Sequence, residues 1–572
     1  MSFTLAVSAP DRGTCEAVTL RACRTDPRVM PVPGPARVAW RSADGRAALV
    51  TWGPAGNAAG DGLAAGPDWL DGVPVAARSH AGTIWVSGDG AEVFARTSIT
   101  RVDPVYLARA DGAAVVSDRA TWPAAVAGRL DDADPLLYGG LLGPGYPLGT
   151  VTPFAGVRAL APATSCRVLG GTFTERERAS LAEPGAGGAA GAARVAEALV
   201  HAVAPLKDRP EPVELSLTGG KDSRLIAAAL VSAGVPVHAR TYGFPGHPDV
   251  EVARLVAREL SLEHTVAEPR TSGPGGTADT TPAVQEVDVL GRLRATVLVA
   301  DGMLSAFENV GRPDPGPAGQ VSLGGHGGEL LRGGYAKIIP GSAARRAAAS
   351  GELLRRLAMR RVSLLRARWR TAYLASLAPW VAAVASRPQA ALDDFYLVNR
   401  AGRWSAAARQ AYAIRSPMMQ PFFDDRVVRA ARSVPLAERL DDRLVRGAIG
   451  ALWPPLLDVP LAADHWKCEP PVPAGTAPGP APATAGRRAG FDWRRSYGDE
   501  VATFLRDYVL DAGSSGGLFA VISRPAAERL LQPPHTDPVT VWALATLATL
   551  ISADWLSARV RTDRTFAIPV PA

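Results

Sequence analysis

Lysine is nearly missing from this 572-residue chain. Of its 62 basic residues only Lys207, Lys221, Lys337 and Lys467 are lysines; the rest are arginines. Alanine and glycine are abundant alongside, a pattern of coding bias in which Arg stands wherever either cation serves. A surviving lysine then marks a position where a compact point charge matters. Cysteine is scarce: Cys15, Cys23, Cys166 and Cys468 form no C-x-x-C pair. That excludes a disulfide framework and a cysteine zinc site, and fits a reducing cytoplasm. The eight histidines show neither H-x-H nor H-E-x-x-H spacing. The N-terminal stretch MSFTLAVSAPDRGTCEAV lacks the basic region and long apolar run of a signal peptide. The apolar stretch Val541 to Ala553 carries Thr and Ser and falls short of the ~20 residues a membrane span needs, so a buried helix is expected there. Stable membrane insertion is not expected, and neither is nucleic-acid binding, since a net charge of +7 is small for this length. The 47% hydrophobic and 20% charged content excludes a disordered chain, and the length exceeds one ordinary core.

Residues 1–181 read as β-rich. Short alternating runs at 83–88, 91–96 and 113–118 are separated by Gly, Asp and Pro. The small-residue stretch 182–194 reads as a linker. From 195 to 572 the pattern becomes α/β. Strands are expected at 213–217, 235–243 and 263–268, with helices at 195–205, 222–233 and 250–260, which argues for a parallel sheet with crossover helices. Residues 271–282 read as loop, 343–456 as mainly helical, and the Pro/Ala/Gly-rich stretch 469–489 as a mobile loop; the remainder is expected to end in helices.

The segment Ser216-Leu217-Thr218-Gly219-Gly220-Lys221-Asp222-Ser223-Arg224 carries the most chemistry. A buried strand runs through two glycines into a helix. Glycines let backbone N–H groups turn inward as an anion cradle, and the helix N-terminus adds partial positive charge. Thr218 and Ser223 supply hydroxyls, Lys221 a cation, and Asp222 a carboxylate suited to Mg²⁺. The spacing is not that of a Walker A loop. Taken alone, the segment is equally an ordinary capped turn.

Its surroundings decide between the two. Thr218 to Ser223 resembles the S-G-G-x-D-S pyrophosphate loop of N-type ATP pyrophosphatases. Tyr242-Gly243-Phe244, Asp249, Ala253, Ala257 and His264 resemble the second βα unit of the asparagine synthetase family. The run Leu323 to Tyr335, L-G-G-H-G-G-E-L-L-R-G-G-Y, resembles that family's G-E-G-A-D-E-L-F-G-G-Y, and Pro421 to Asp424 its R-x-P-F-L-D. Leu444-Val445-Arg446, Leu452-Trp453-Pro454 and Lys467 resemble its closing elements. The ordered motifs cover roughly residues 195–470. The resemblance implies a C-terminal doubly wound parallel sheet with added helices, preceded by a degenerate glutaminase-like (Ntn-type) β-rich sandwich. Ser2 stands where glutamine-dependent members carry the N-terminal cysteine, so glutaminase activity is not expected. Members that lack this cysteine include β-lactam synthetases and lasso peptide cyclases. Lys221 and Arg224 in the first loop, and His326 in the second, resemble the lasso cyclases. At the position of His326, asparagine synthetases have Glu and β-lactam synthetases a Tyr.

The resemblance implies an ATP- and Mg²⁺-dependent ligase. An Asp or Glu side chain of a precursor (core) peptide is adenylated, and the peptide's N-terminal amine then closes a macrolactam. Asp222 and Glu329 would hold Mg²⁺. Thr218, Gly219, Gly220, Lys221 and Ser223 would cradle pyrophosphate. Leu217, Tyr242, Gly324 and Gly325 would line the adenine and ribose pocket. Lys467 would stabilise developing negative charge. His326 would take a proton from the amine or, alternatively, only hydrogen-bond the backbone. Asp393 and Asp394 are candidates for a second carboxylate of the base. A leader peptidase and a leader-binding protein are the implied partners. A β-lactam synthetase-like or other small-molecule amide ligase, an asparagine synthetase-related amidotransferase, and an inactive binding scaffold remain alternatives. The arginines of residues 345–370 read as a solvated helix face, or as a docking face for an acidic peptide.

Overall fold

A computed structural model describes residues 3–24, 37–41, 44, 46–52, 83–86, 93–177, 187–243, 245–267, 284–310, 320–413, 418–462, 465–469, 492–532, 537–556 and 564–569. The expected loop 271–282, the start of the linker, Phe244 and residues 470–489 of the expected mobile loop lie outside them.

The first ten strands are β1 (Phe3–Ser8), β2 (Arg37–Arg41), β3 (Ala47–Trp52), β4 (Thr83–Val86), β5 (Val93–Arg96), β6 (Tyr106–Ala110), β7 (Ala113–Ser117), β8 (Val157–Ala159), β9 (Thr164–Leu169) and β10 (Thr172–Glu177). They form two antiparallel sheets, ordered β2-β3-β1-β7-β6-β8 and β10-β9-β5-β4. Period-two alternation sorts the side chains between two layers. Ala6, Leu107, Ala114 and Val116 face the second sheet's Val93, Ala95, Cys166 and Val168. Leu5, Val7 and Val115 face the other way, onto Cys15, Val18 and Ala22 of the helix Arg12–Cys23. No disulfide links the cysteines.

The stretch expected to be a linker runs into a helix, Gly188–Val203. Its alanines are strong helix formers, and Ala192, Val195, Ala196 and Leu199 are buried, so helix packing prevails over the small-residue signal. The later strands are β11 (Val213–Ser216), β12 (Val237–Tyr242), β13 (Glu263–Ala267), β14 (Val284–Val287), β15 (Ser322–Gly324), β16 (Met418–Met419) and β17 (Phe566–Pro569). Five of them make a parallel sheet ordered β13-β12-β11-β15-β16. The helices Lys221–Ser232 and Pro248–Glu259 connect its first three strands, as the alternation predicts. The described chain ends in a strand rather than in helices. β17 pairs antiparallel with β14, and Phe566 and Ile568 are buried beneath that pair.

The helix Pro538–Ile551 is buried from Thr540 to Ile551, as its composition requires. It packs in the same core as Leu5, Trp122, Leu293 and Tyr373, so helices from the end of the chain complete the core of the N-terminal sheets. Among the described residues, no helix is long and apolar enough to cross a membrane.

Candidate active site

Strand order reverses between β11 and β15. From β11 the chain proceeds outward to β12 and β13; β15 and β16 lie on its other side. A crevice opens at the carboxyl ends of two such diverging strands, where sheets of this kind bind ligands. Ser216 and Gly324 are paired at these ends, and each strand continues into a glycine-rich turn. The two turns are packed so closely that side chains are excluded. A Cβ on Gly219 would lie 2.5 Å from Cβ of Ala462, and one on Gly325 would lie 2.6 Å from the amide of Ser223. Gly327 adopts φ +95, a left-handed conformation that glycine tolerates at no steric cost.

A cavity of about 560 Å³ occupies this crevice. Thr218, Gly219, Gly220, Lys221, Asp222, Ser223, Gly324, Gly325 and His326 line it, joined by Asp249, Arg332, Gln420 and Ala462. Ser223 Oγ accepts from Thr218 N at 3.1 Å and lies 3.0 Å from Thr218 Oγ1. Gly219 N donates to Asp249 Oδ1 at 3.1 Å, and Gly220 N to Thr218 Oγ1 at 3.2 Å. A carboxylate oxygen thus already sits on the loop amide, the kind of partner a phosphate oxygen would be.

Four charged side chains gather behind the loop. Asp222 Oδ2 accepts from Arg332, and Glu329 Oε1 lies 3.8 Å from Lys337 Nζ. Burial pushes the Asp222 carboxyl up to about 6 against the pull of Arg332, with Glu329 adding to the rise. Glu329 moves the other way: burial raises it, but Lys337, its own amide, Arg332 and His326 outweigh that and lower it. Burial and the neighbouring Arg332 bring Lys337 down to about 8, with the charge of Lys467 contributing in the same direction. Asp222 Oδ1 is buried without a hydrogen-bond partner. Such an oxygen beside a second carboxylate suits a hard cation. No group of three or more His, Cys, Asp or Glu side chains among the described residues is placed to hold a metal by itself. Mg²⁺ would therefore share its ligands with nucleotide phosphates, as it commonly does. Arg332 had no assigned role in the sequence reading; the only signal for Lys337 was the rarity of lysine.

His326 is tucked under a wall of aromatic residues. Its ring lies 5.6 Å from Trp404 and 5.8 Å from Phe423, and Nε2 is 3.0 Å from Ser405 Oγ. Burial lowers its pKa below that of a free imidazole, opposed by Glu329 and reinforced by Arg400. Ser405 and Trp404 belong to a π-helical stretch, Tyr396–Ser405, whose Tyr396 hydroxyl donates to Glu329 Oε2 at 3.3 Å. In the sequence only Trp404 of this stretch stood out, as a core or peptide-cleft residue; its π-helical register left no sign. The N-terminal unit supports it from behind, where Gly149 N donates to Asn399 Oδ1 at 3.1 Å.

Other expected site residues are placed differently. Leu217 is 1% exposed, with its side chain in the core of the sheet and outside the cavity lining. Tyr242 is 59% exposed and stacks under the Arg240 guanidinium, outside the cavity lining. The Lys221 ammonium is paired with Asp442 Oδ2 at 2.7 Å and with the His465 carbonyl at 2.8 Å, which leaves its backbone as its contribution to a phosphate cradle. Lys467 is exposed on the segment 465–469, outside the cavity lining but near enough for Lys337 to feel its charge. Asp393 is held by Arg432 and Arg439, and Asp394 by Arg387 and Arg432; neither lines the cavity.

A glycine-rich loop at the switch point of a parallel sheet is the arrangement in which α/β folds commonly bind ligands. Residues 194–452 match the asparagine synthase family model. Members of that family are ATP-dependent amide ligases that form AMP and pyrophosphate. No curated protein matches the chain.

Proposed function

We propose that this protein closes an amide bond within a peptide, joining an Asp or Glu side chain to the N-terminal amine of the same core peptide. The observation that carries this reading is the half-buried His326 at the cavity wall, in the position where amide ligases of this family differ from one another. The triphosphate rests on the Thr218–Ser223 loop. The peptide carboxylate attacks the α-phosphorus, an acyl–oxygen–phosphorus bond forms, and pyrophosphate leaves. The amine then attacks the acyl carbon, and AMP departs with the bonding electrons. Burial favours the neutral form of His326, which accepts the amine's proton. Lys467 stabilises the oxyanion and the departing phosphate. Mg²⁺ supplies charge neutralisation on the phosphates when bound, and Asp222 and Glu329 are the residues that would hold it. The implied partners are the leader peptidase that frees the core peptide and a leader-binding protein.

Lys467→Ala tests the assignment. ATP binding by calorimetry is expected to survive, while macrolactam formation, followed by mass spectrometry with a synthetic core peptide, falls at least ~10²-fold. Wild-type turnover in that variant removes Lys467 from the mechanism.

A further inference from the structure

The phosphate-loop helix Lys221–Ser232 begins with two buried cations, Lys221 and Arg224, three residues apart and so on one face. Both are engaged by protein partners. Arg224 donates to three backbone carbonyls: Leu456 at 3.0 Å, Val459 at 2.7 Å and Pro460 at 2.6 Å. Lys221 donates to the His465 carbonyl and to Asp442, and its ammonium lies 5.3 Å from the centre of the buried Trp466 ring. The same Asp442 oxygen accepts from the Lys467 amide at 3.4 Å. Two more ties hold the same stretch. Ala462 N donates to Gly219 O at 3.3 Å, and Arg446 pairs with Glu469 at 2.6 Å. Burying a cation is costly unless its hydrogen bonds are made, so two such cations gripping one backbone stretch fix it firmly.

We infer that Lys221 and Arg224 are positioning residues: together they clamp residues 456–462 and 465–469 to the phosphate loop and so set Lys467 beside the bound nucleotide. Lys221 acts through Asp442, which receives its ammonium on the same oxygen that receives the Lys467 amide. The loop that holds the phosphates and the strand of chain that carries the charge-stabilising lysine therefore move as one piece. This rests on the reading that Lys467 acts on the nucleotide.

The scarcity of lysine makes the test clean, because an amine-acylating reagent has only four side chains to modify. The full-length protein is labelled with and without ATP and Mg²⁺, and each lysine is quantified by mass spectrometry. In the wild type, nucleotide is expected to slow acylation of Lys467. In Lys221→Met, held at nucleotide concentrations that saturate the variant by calorimetry, the protection of Lys467 is lost. Lys221→Arg, which keeps a cation for Asp442, is expected to restore it. A purely structural role for Lys221 would lower stability without separating binding from protection. Asp442→Asn reads out the same link should the Met variant fail to fold. Undiminished protection of Lys467 in Lys221→Met, or nucleotide binding without protection in the wild type, overturns the clamp and leaves the ATP site standing. Absence of nucleotide binding by the wild type instead overturns the proposed function itself.

Discussion

Asp222 sits where opposing influences meet. Arg332 pairs with one of its oxygens, the other is buried without a partner, and burial outweighs the cation in setting its pKa near 6. The folded state therefore holds this proton more tightly than an unfolded chain, whose aspartate titrates at 3.8. The stability this group contributes is complete below pH 3.8 and is lost as pH rises through about 6. The swing is roughly 3 kcal/mol. Asp222→Asn has nothing to titrate, so its urea-unfolding free energy in chelator is expected to miss that part of the wild-type pH dependence. Superimposable curves for the two proteins contradict the assignment. The structure brings Asp222, Ser223 and His326 of the motifs into the cavity lining, with Glu329 behind the loop. The direction of each side chain was not readable. Lys221 illustrates why. A lysine in a glycine-rich loop suggests a phosphate partner, yet its actual partner, Asp442, lies 221 residues away in the chain.

At the scale of elements, the three-residue β15 and two-residue β16 left no strand pattern, and β16 lies in a stretch that reads as helical, but β11, β12 and β13 were legible as short apolar-rich runs between turn signals. The β14–β17 pair was not, since four-residue strands with a partner at the far end of the chain leave no local pattern. The π-helical register of Tyr396–Ser405 was equally silent. Within this stretch the Gly402 and Val398 carbonyls accept from Arg101 and Asn399 Oδ1 accepts from Gly149 N, partners so distant in the chain that they leave no local signal. One link between elements carries a direct energetic consequence. Arg119, before the helix Thr121–Val126, and Asp301, after the helix Val289–Val299, are fully buried and paired. Asp301 also accepts from Ala120 N at 2.8 Å and Thr121 Oγ1 at 2.7 Å. Asp301→Ala leaves the guanidinium buried without its counter-charge and is expected to cost ~3–5 kcal/mol in chemical denaturation. A loss within experimental error of zero would show that this pair does not join the two parts of the chain.

For the whole molecule, the boundary suggested by the small-residue stretch near residue 187 separates two kinds of sheet but not two cores. The N-terminal sheets are completed by Val297, Tyr373 and Trp542, residues from beyond the boundary. The loop at Gly149 reaches the π-helical stretch behind His326. The sequence suggested separable units because composition changes sharply along the chain; long-range burial between them has no compositional mark. The site thus stands on a scaffold that both parts build, with the nucleotide loop on one sheet and its rear support from the other unit. The central claim is that this scaffold activates a carboxylate by adenylation. The most direct measurement mixes the full-length protein with ATP, Mg²⁺ and a core peptide bearing one Asp or Glu, and quantifies the nucleotide products. Equimolar AMP and pyrophosphate, formed only when the carboxylate is present, is the predicted result. ADP and phosphate, or AMP release indifferent to the peptide carboxylate, would contradict it.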